Sequence, residues 1–278
     1  CGTQGTVKSL TSLDLKEIGI QLVLANTYHL YLRPGEKILK EFKGIANFMN
    51  WKGPIVTDSG GFQATMLGEL TKIDAEGVDF RSHIDGSRHR FTAEKSIEFQ
   101  VNIGADLIMS FDQSTPVEAD HTEAKKVLER THRWEERSLK AFQKQAGDTS
   151  LRKQYLYGIL QGGSFEDLRK DSARFVRNNP FDGIAIGGGT IGHDYEDTER
   201  ILQWTVDIFP RERPVHALGL GVSPDDILLA VEHGVDTFDC VQPTRMARMG
   251  RLFVNEKLII KNKKYEIDIK KKEFSEDL

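Results

Sequence analysis

Seven short apolar runs, each closing on glycine or a polar residue and mostly followed by a helix-compatible stretch, limit what this chain can fold into more than any other feature. They are Leu22–Asn26, Pro54–Asp58, Asp106–Asp112, Tyr155–Gln161, Gly183–Gly188, Val215–Gly221 and Val235–Cys240. Near-continuous apolar character, without strict alternation, marks a strand covered on both faces. Helical patterns lie between them at Thr92–Ile103, Thr122–Ala146, Phe165–Asn178, Asp197–Phe209 and Pro224–His233. Strands alternating with helices require right-handed crossovers and hence a parallel sheet. The pattern therefore predicts an α/β fold, a (β/α)8 TIM barrel with one strand out of view, just upstream of Cys1-Gly2-Thr3. An open doubly wound sheet competes, but no Gly-x-Gly-x-x-Gly opens a first crossover helix.

Composition narrows the class. Of 278 residues, 38% are hydrophobic and 29% charged, enough for a sizeable core and too apolar for disorder. No run approaches the roughly 18 to 20 apolar residues of a membrane span and no signal segment opens the chain, so the expected location is cytoplasmic. The net charge of −4 argues against nucleic-acid binding over the whole surface while leaving room for a local basic patch. Cys1 and Cys240 are too few for a disulfide scaffold or a multi-cysteine zinc site. The start at Cys1, without an initiator Met, is expected to belong to a longer polypeptide. Asp85-Gly86, flanked by Val78–Ile84 and Ser87–Phe91, predicts a β-hairpin inserted after the second visible strand. Residues 1–278 are thus expected to form a single barrel domain.

In a β/α barrel the active site forms at the carboxyl ends of the strands. Here those ends converge Asn26, Asp58, Asp112, Gln161, the Gly187-Gly188-Gly189 turn and Asp239. Any one strand-end Asp can be a helix cap or turn residue. Three carboxylates on one rim are harder to explain structurally, because each must be desolvated beside the others. Asp58 lies in Thr57-Asp-Ser-Gly-Gly-Phe-Gln63, where glycines permit close backbone approach to a ligand and Phe62 offers a flat ring. Asp112 could accept two hydrogen bonds from the donor edge of a purine-like base. After Asp239 come Arg245, Arg248 and Arg251, whose spacing places them on one side of a helical or turn-like stretch, facing phosphates or simply paired with surface acids. His29, His83, His89 and His193 lack metal-ligand spacing, and Ser59 lacks hydrolase partners.

Taken together, Gly2-Thr-Gln-Gly-Thr-Val7, Asn26-Thr-Tyr-His-Leu30, Leu32-Arg-Pro-Gly35, Thr57–Gln63, Phe80-Arg-Ser-His-Ile-Asp-Gly86, Phe111-Asp112, Leu160-Gln-Gly-Gly163, Ala185-Ile-Gly-Gly188, Phe238-Asp-Cys240 and Pro243-Thr-Arg245 closely resemble the bacterial type of tRNA-guanine transglycosylase. The resemblance runs in order over nearly the whole chain. It implies a pentosyltransferase that exchanges the wobble guanine of tRNA for a 7-deazaguanine, queuine or preQ1, with no cofactor needed for the chemistry. By the same resemblance Asp239 is the nucleophile and Asp58 the general acid/base. Asp112, Gln161 and the amide of Gly188 read the base edge, Phe62 and Leu218 sandwich it, Asn26 holds Asp239, and Arg245, Arg248 and Arg251 meet the tRNA.

Departures from the family pattern also shape the expectation. Ser114 stands where Cys is usual, Gln113 where Glu is usual, and Gly189 where Leu is usual, which makes room for a bulkier base such as queuine. The family's structural zinc, held by three Cys and a His beyond the segment matching Lys264-Tyr265, has no ligands in this sequence, so no metal site is expected in this chain. A homodimer is implied by the family. Two other classes remain open: a non-catalytic tRNA-binding partner subunit, against which the retention of Asp58 and Asp239 argues, and a carboxylate-pair glycosidase, which leaves the arginine cluster unexplained.

Overall fold

The computed structural model of the chain describes residues 1–66, 69–145, 153–188, 195–253 and 266–272. All seven apolar runs contain strands: β1 (Val23–Ala25), β2 (Ile55–Thr57), then β6 (Leu107–Met109), β7 (Tyr155–Leu160), β8 (Gly183–Ile186), β9 (Val215–Ala217) and β10 (Thr237–Phe238), which follow the intervening β3 (Glu69–Ile73), β4 (Gly77–Arg81) and β5 (Arg88–Thr92). The seven form one parallel, curled sheet in the order β1-β2-β6-β7-β8-β9-β10. Beside β1, Gly2 makes a parallel bridge to Ala25, its amide donating to the Leu24 carbonyl at 2.6 Å.

Crossover helices account for the remaining pattern. They are α1 (Ser12–Ile18), α2 (Thr27–Leu32), α3 (Glu36–Glu41), α4 (Ile45–Phe48), α5 (Gly61–Met66), α6 (Ala93–Asn102), α7 (His121–Gln145), α8 (Glu166–Asn178), α9 (Tyr195–Thr205) and α10 (Pro224–Glu232). Their starts are chemically specified: Ser223 and Asp226 form a reciprocal capping box on α10 with Pro224 in its first turn, as Thr11 and Asp14 do on α1.

Strand periodicity sorts the core into two layers. Val23, Ala25, Ile55, Ile108, Leu156, Leu160, Ile184, Ile186, Val215 and Ala217 face outward and pack under the helices. The residues between them, Leu24, Val56, Met109, Tyr157, Ile159 and Ala185, form a separate inner cluster with Leu218. Burying each such aliphatic side chain contributes about 1.5–3 kcal/mol, so both faces hold the sheet in register. This one inner cluster runs from Leu24 on β1 to Leu218, just beyond β9.

Between β2 and α6, strands β3, β4 and β5 make a three-stranded antiparallel sheet. The strands flanking Asp85-Gly86 are shorter than the sequence pattern implies, because the turn takes Ser82 to Ser87, whose backbones bond at 2.8 Å, and Gly86 sits at φ +73°. Arg90 ties the sheet together across Asp74 and Asp79 at 2.8 and 2.7 Å. Val78, Phe80 and Phe91 bury one side of it against Tyr28, Phe111 and Trp134.

Contacts divide the chain into two compact units, Cys1–Asp239 and Cys240–Leu278. In the second, α11 (Gln242–Arg248) precedes an antiparallel pair, β11 (Arg251–Phe253) and β12 (Glu266–Asp268). No helix among the described residues is long and apolar enough to cross a membrane.

Candidate active site

The two-residue strand period places most of the predicted residues on one face. Asn26, Asp58, Gln161 and Gly187 each lie two positions beyond an inner-layer residue (Leu24, Val56, Ile159 and Ala185), and Leu218 itself joins that layer. They therefore share the inner face at the carboxyl ends of the strands, the end at which parallel α/β sheets place their sites.

Asp58 is half-buried and heavily hydrogen-bonded. Its carboxylate accepts from the Thr27 amide at 2.8 Å and from the Asn26 side-chain amide. Burial first, and then the like charges of Asp239 and Asp112, push its carboxyl up to about 7 against the opposing Thr27 bond. Asp239 and Asp112 thus both lie within electrostatic reach of Asp58. Asn26 also caps α2, accepting from the His29 amide at 3.0 Å. Asn26, expected to hold Asp239, places one of its two side-chain amide hydrogens on Asp58.

Asp112 is buried and made by a different local device. After β6 ends at Met109 the chain leaves strand geometry, Phe111 turns into the aromatic cluster, and Asp112 faces Ser59 and Gln161. Ser59 Oγ donates to it at 2.6 Å and Gln161 Nε2 at 2.7 Å, while burial raises its carboxyl above the ordinary range. Gly61 matters to this placement. A Cβ there would fall far inside contact distance of the Asp112 carbonyl oxygen. The glycine thus serves close backbone packing onto Asp112, a role not anticipated from the sequence, where it was assigned to ligand approach.

Helix α7 supports the bend from behind. Thr131, Glu135 and Ser138 share one helical face, and each bonds strand-end backbone or side chains. Thr131 Oγ1 accepts from the Gln113 amide at 3.1 Å, Ser138 Oγ from the Phe111 amide at 3.0 Å, and Glu135 from the Ile159 amide at 2.6 Å and Ser110 Oγ at 2.7 Å. Burial pushes Glu135 up to about 8, so it is held mainly protonated at neutral pH. From α8, Ser172 Oγ likewise accepts the Gln161 amide at 3.1 Å.

Arg169 lies fully buried beneath the neighbouring turns, its guanidinium donating to the carbonyls of Gly163 and Gly187, both at 2.7 Å. Gly188 has φ +109°, a conformation that favours glycine, and a Cβ there would meet Arg169 Nη2 at 2.5 Å. Gly189 lies outside the described residues. Ser114 is half-buried two positions after Asp112, Phe62 opens α5 with 46% of its surface exposed, and Leu218 is partly buried.

Asp239 receives its bonds from residues the sequence reading did not select. His216 Nε2 lies 3.2 Å from Oδ1, the Gly219 amide donates to Oδ1 at 3.2 Å, and the Cys1 thiol donates to Oδ2 at 3.4 Å. His216 is 1% exposed and its Nδ1 lies 2.9 Å from Thr237 Oγ1. A single signal could have found it: His216 precedes Leu218 by two residues in an otherwise apolar buried strand.

Within the second unit, Arg245 and Arg248 sit three apart on α11, both exposed, with Met246 buried as the anchor of that helix. Arg251 does not share their helical face. The helix ends before Gly250, at φ +78°, and Arg251 lies on β11, paired with Glu266 at 3.2 Å. The zinc implied by the family resemblance finds no ligand set: among the described residues no three His, Cys, Asp or Glu side chains are grouped to hold a metal.

Similarity to known proteins agrees with this geometry. A family model described as queuine tRNA-ribosyltransferase matches residues 1–276. Among curated proteins, the queuine tRNA-ribosyltransferase of Thermoanaerobacter pseudethanolicus is 48% identical over 268 residues, which are 96% of this chain and 70% of that protein. The one from Halothermothrix orenii is 46% identical over the same shares. That of Herpetosiphon aurantiacus is 48% identical over 95% of this chain and 66% of its own length.

Proposed function

The chain belongs to the queuine tRNA-ribosyltransferase family and is a pentosyltransferase, and from that premise we propose that it exchanges the wobble guanine of a tRNA for queuine or preQ1 at the strand-end rim. The observation that carries the reading is the coupling of three inward acids, with Asp58 pushed to about 7 beside Asp239 and Asp112. One of a carboxyl pair must stay ionised while the other can hold a proton, which is the division of labour that N-glycosidic exchange needs.

In the first displacement an Asp239 carboxylate oxygen bonds to ribose C1′ as the bond from C1′ to the guanine nitrogen breaks, its electron pair leaving with the base. The Asp58 carboxyl gives its proton to the departing guanine. In the second, the incoming 7-deazaguanine yields a ring N–H proton to the Asp58 carboxylate, its nitrogen bonds to C1′, and the bond to Asp239 breaks. Two inversions retain configuration. A carboxyl near 7 is half-protonated at neutral pH and can serve both directions.

Asp112, Gln161 and the Gly188 amide would read the base edge, with Phe62 and Leu218 on its faces after the nucleotide is turned out of the anticodon loop. Asn26 would orient Asp58. Gly189 in place of the family's usual Leu favours the bulkier queuine. Arg245 and Arg248 would take tRNA phosphates. We extend the reading to a closed eight-stranded barrel carrying β4 and β5 as an insertion. In it the segment at Cys1-Gly2 occupies the gap between β1, through the Gly2 bridge, and the end of β10, through Cys1 and Asp239. The same family reading makes the enzyme a cytoplasmic homodimer.

The test is incubation with a tRNA bearing a wobble guanine and radiolabelled guanine, queuine or preQ1. Label should enter the tRNA, and Asp239→Asn should abolish both incorporation and the covalent tRNA adduct. A wild-type protein that binds tRNA yet incorporates no base and forms no adduct would be the partner subunit instead. Failure to bind tRNA would favour a glycosidase acting on sugars.

A further inference from the structure

The nucleophile assigned above is not a free carboxylate, and the residues that hold it form a chain of three. His216 on β9 and Thr237 on β10 are register partners across two adjacent parallel strands. Asp239 follows Thr237 by two residues, so Thr237, Asp239 and His216 project to the same face of the sheet. The distances then order the chain: Thr237 Oγ1 to His216 Nδ1 is 2.9 Å, and His216 Nε2 to Asp239 Oδ1 is 3.2 Å.

We propose that His216 is the positioning residue of the nucleophile, donating its Nε2 hydrogen to Asp239 Oδ1, with its ring held from behind by the Thr237 hydroxyl at Nδ1. This rests on the reading of Asp239 as nucleophile. An ionised carboxylate can only accept, so Nε2 carries the hydrogen. In the neutral ring Nδ1 is then an acceptor and takes the hydroxyl hydrogen of Thr237. His216 is fully enclosed at 1% exposure, so water cannot replace either partner and the ring cannot turn without losing both bonds.

The pattern of donors also selects which oxygen attacks. Oδ1 accepts two N–H donors, from His216 and from the Gly219 amide at 3.2 Å. Among the described residues, Oδ2 meets the weak S–H donor of Cys1 at 3.4 Å and no N–H donor. The less solvated oxygen is the better nucleophile, and with Oδ1 pinned at two points Oδ2 has a fixed direction. Two N–H donors on Oδ1 thus convert a freely rotating carboxylate into one with a single attacking edge, at the strand end where the ribose must arrive.

The experiment compares three variants that differ in where they place a donor. Gln at 216 can bring its side-chain N–H to the position of Nε2, whereas Asn reaches only as far as Nδ1, and Ala reaches neither. Steady-state base exchange, single-turnover formation of the tRNA adduct and thermal stability are measured for wild type, His216→Gln, His216→Asn and His216→Ala. The expected result is a kcat loss on the order of 10 to 100-fold for Asn and Ala with KM for tRNA nearly unchanged, and recovery to within a few fold of wild type for Gln. Thr237→Val, which keeps the shape and removes the hydroxyl, should show a smaller loss of the same kind. A residue that served packing alone would lower stability and leave Gln and Asn equivalent in kcat. Equal rates for Gln and Asn, or loss confined to KM, would overturn the proposal. Should wild type itself form no adduct, the reading of Asp239 as nucleophile fails instead, and with it the premise.

Discussion

Replacing Asp58 by Asn should change how the stability of this protein depends on pH, in a direction set by burial. The folded carboxyl titrates near 7, raised from 3.8 by desolvation and by the charges of Asp239 and Asp112. Between those values the folded chain keeps a proton that the unfolded chain has released. Its contribution to stability is therefore complete below about pH 4 and declines until the folded carboxyl also ionises, near pH 7. At about 1.4 kcal/mol per unit, the decline between pH 5 and pH 8 is roughly 3 kcal/mol, an upper value because the side chain is only half-buried. With an unfolding entropy of about 2.1 cal/mol/K per residue over the chain, that corresponds to about 5 °C in Tm. Asn cannot ionise and so escapes this decline. It has one acceptor oxygen for the two donors, Thr27 and Asn26, and loses about 1 kcal/mol at every pH, which offsets the curve without tilting it. Thermal melts of both proteins from pH 5 to 8.5 should give a Tm difference that moves in favour of Asp58→Asn by up to about 5 °C as pH rises, in a protein that no longer exchanges bases. Parallel curves would refute the burial argument even if activity were lost.

Two further substitutions address other parts of the site. Gly61→Ala forces a methyl group into the carbonyl of Asp112 and should cost at least about 3 kcal/mol, seen as a reduced denaturation midpoint, or yield insoluble protein; a fully stable variant with native base affinity would show that the contact is not rigid. Arg245→Ala and Arg248→Ala should each weaken tRNA binding and lower the slope of log K against log salt by about 1, without altering thermal stability, because both side chains are exposed. An unchanged slope in filter-binding titrations would remove them from the tRNA surface.

The bond between Asn26 and Asp58 shows how strand order decides contacts that the sequence does not display. Asn26 follows β1, Asp58 follows β2, and these strands are register neighbours, with Ala25 opposite Thr57. Asp239 lies after β10, at the other end of the strand order. Adjacent strand ends meet first, so an Asn26 amide hydrogen goes to Asp58, while Asp239 meets His216 on its neighbour strand β9, the Gly219 amide beyond it and Cys1.

The sequence alone determined the seven strands of the parallel sheet, the longer helices α6–α10 and their order, because burial on two faces writes near-continuous apolar runs and amphipathic crossovers write a 3.6-residue period; both signals are local. It also determined which polar residues stand at strand ends, since a run that must end in solvent or at a site changes character there. Strand lengths near Asp85-Gly86, the third strand β3 and the separation of Arg251 from the α11 arginines were not legible, because turns and helix ends are settled by a few backbone hydrogen bonds. Still less could the pattern disclose that Glu135 and Arg169 lie fully buried behind the rim. Tertiary structure alone decided what surrounds each acid. Whether a carboxyl titrates near 4 or near 7 depends on desolvation and on charges brought from elements far apart in the chain. His216 belongs to the same category: one histidine in an apolar strand marks a position, but its role is decided by the register of β9 against β10, which sets that ring between Thr237 and Asp239.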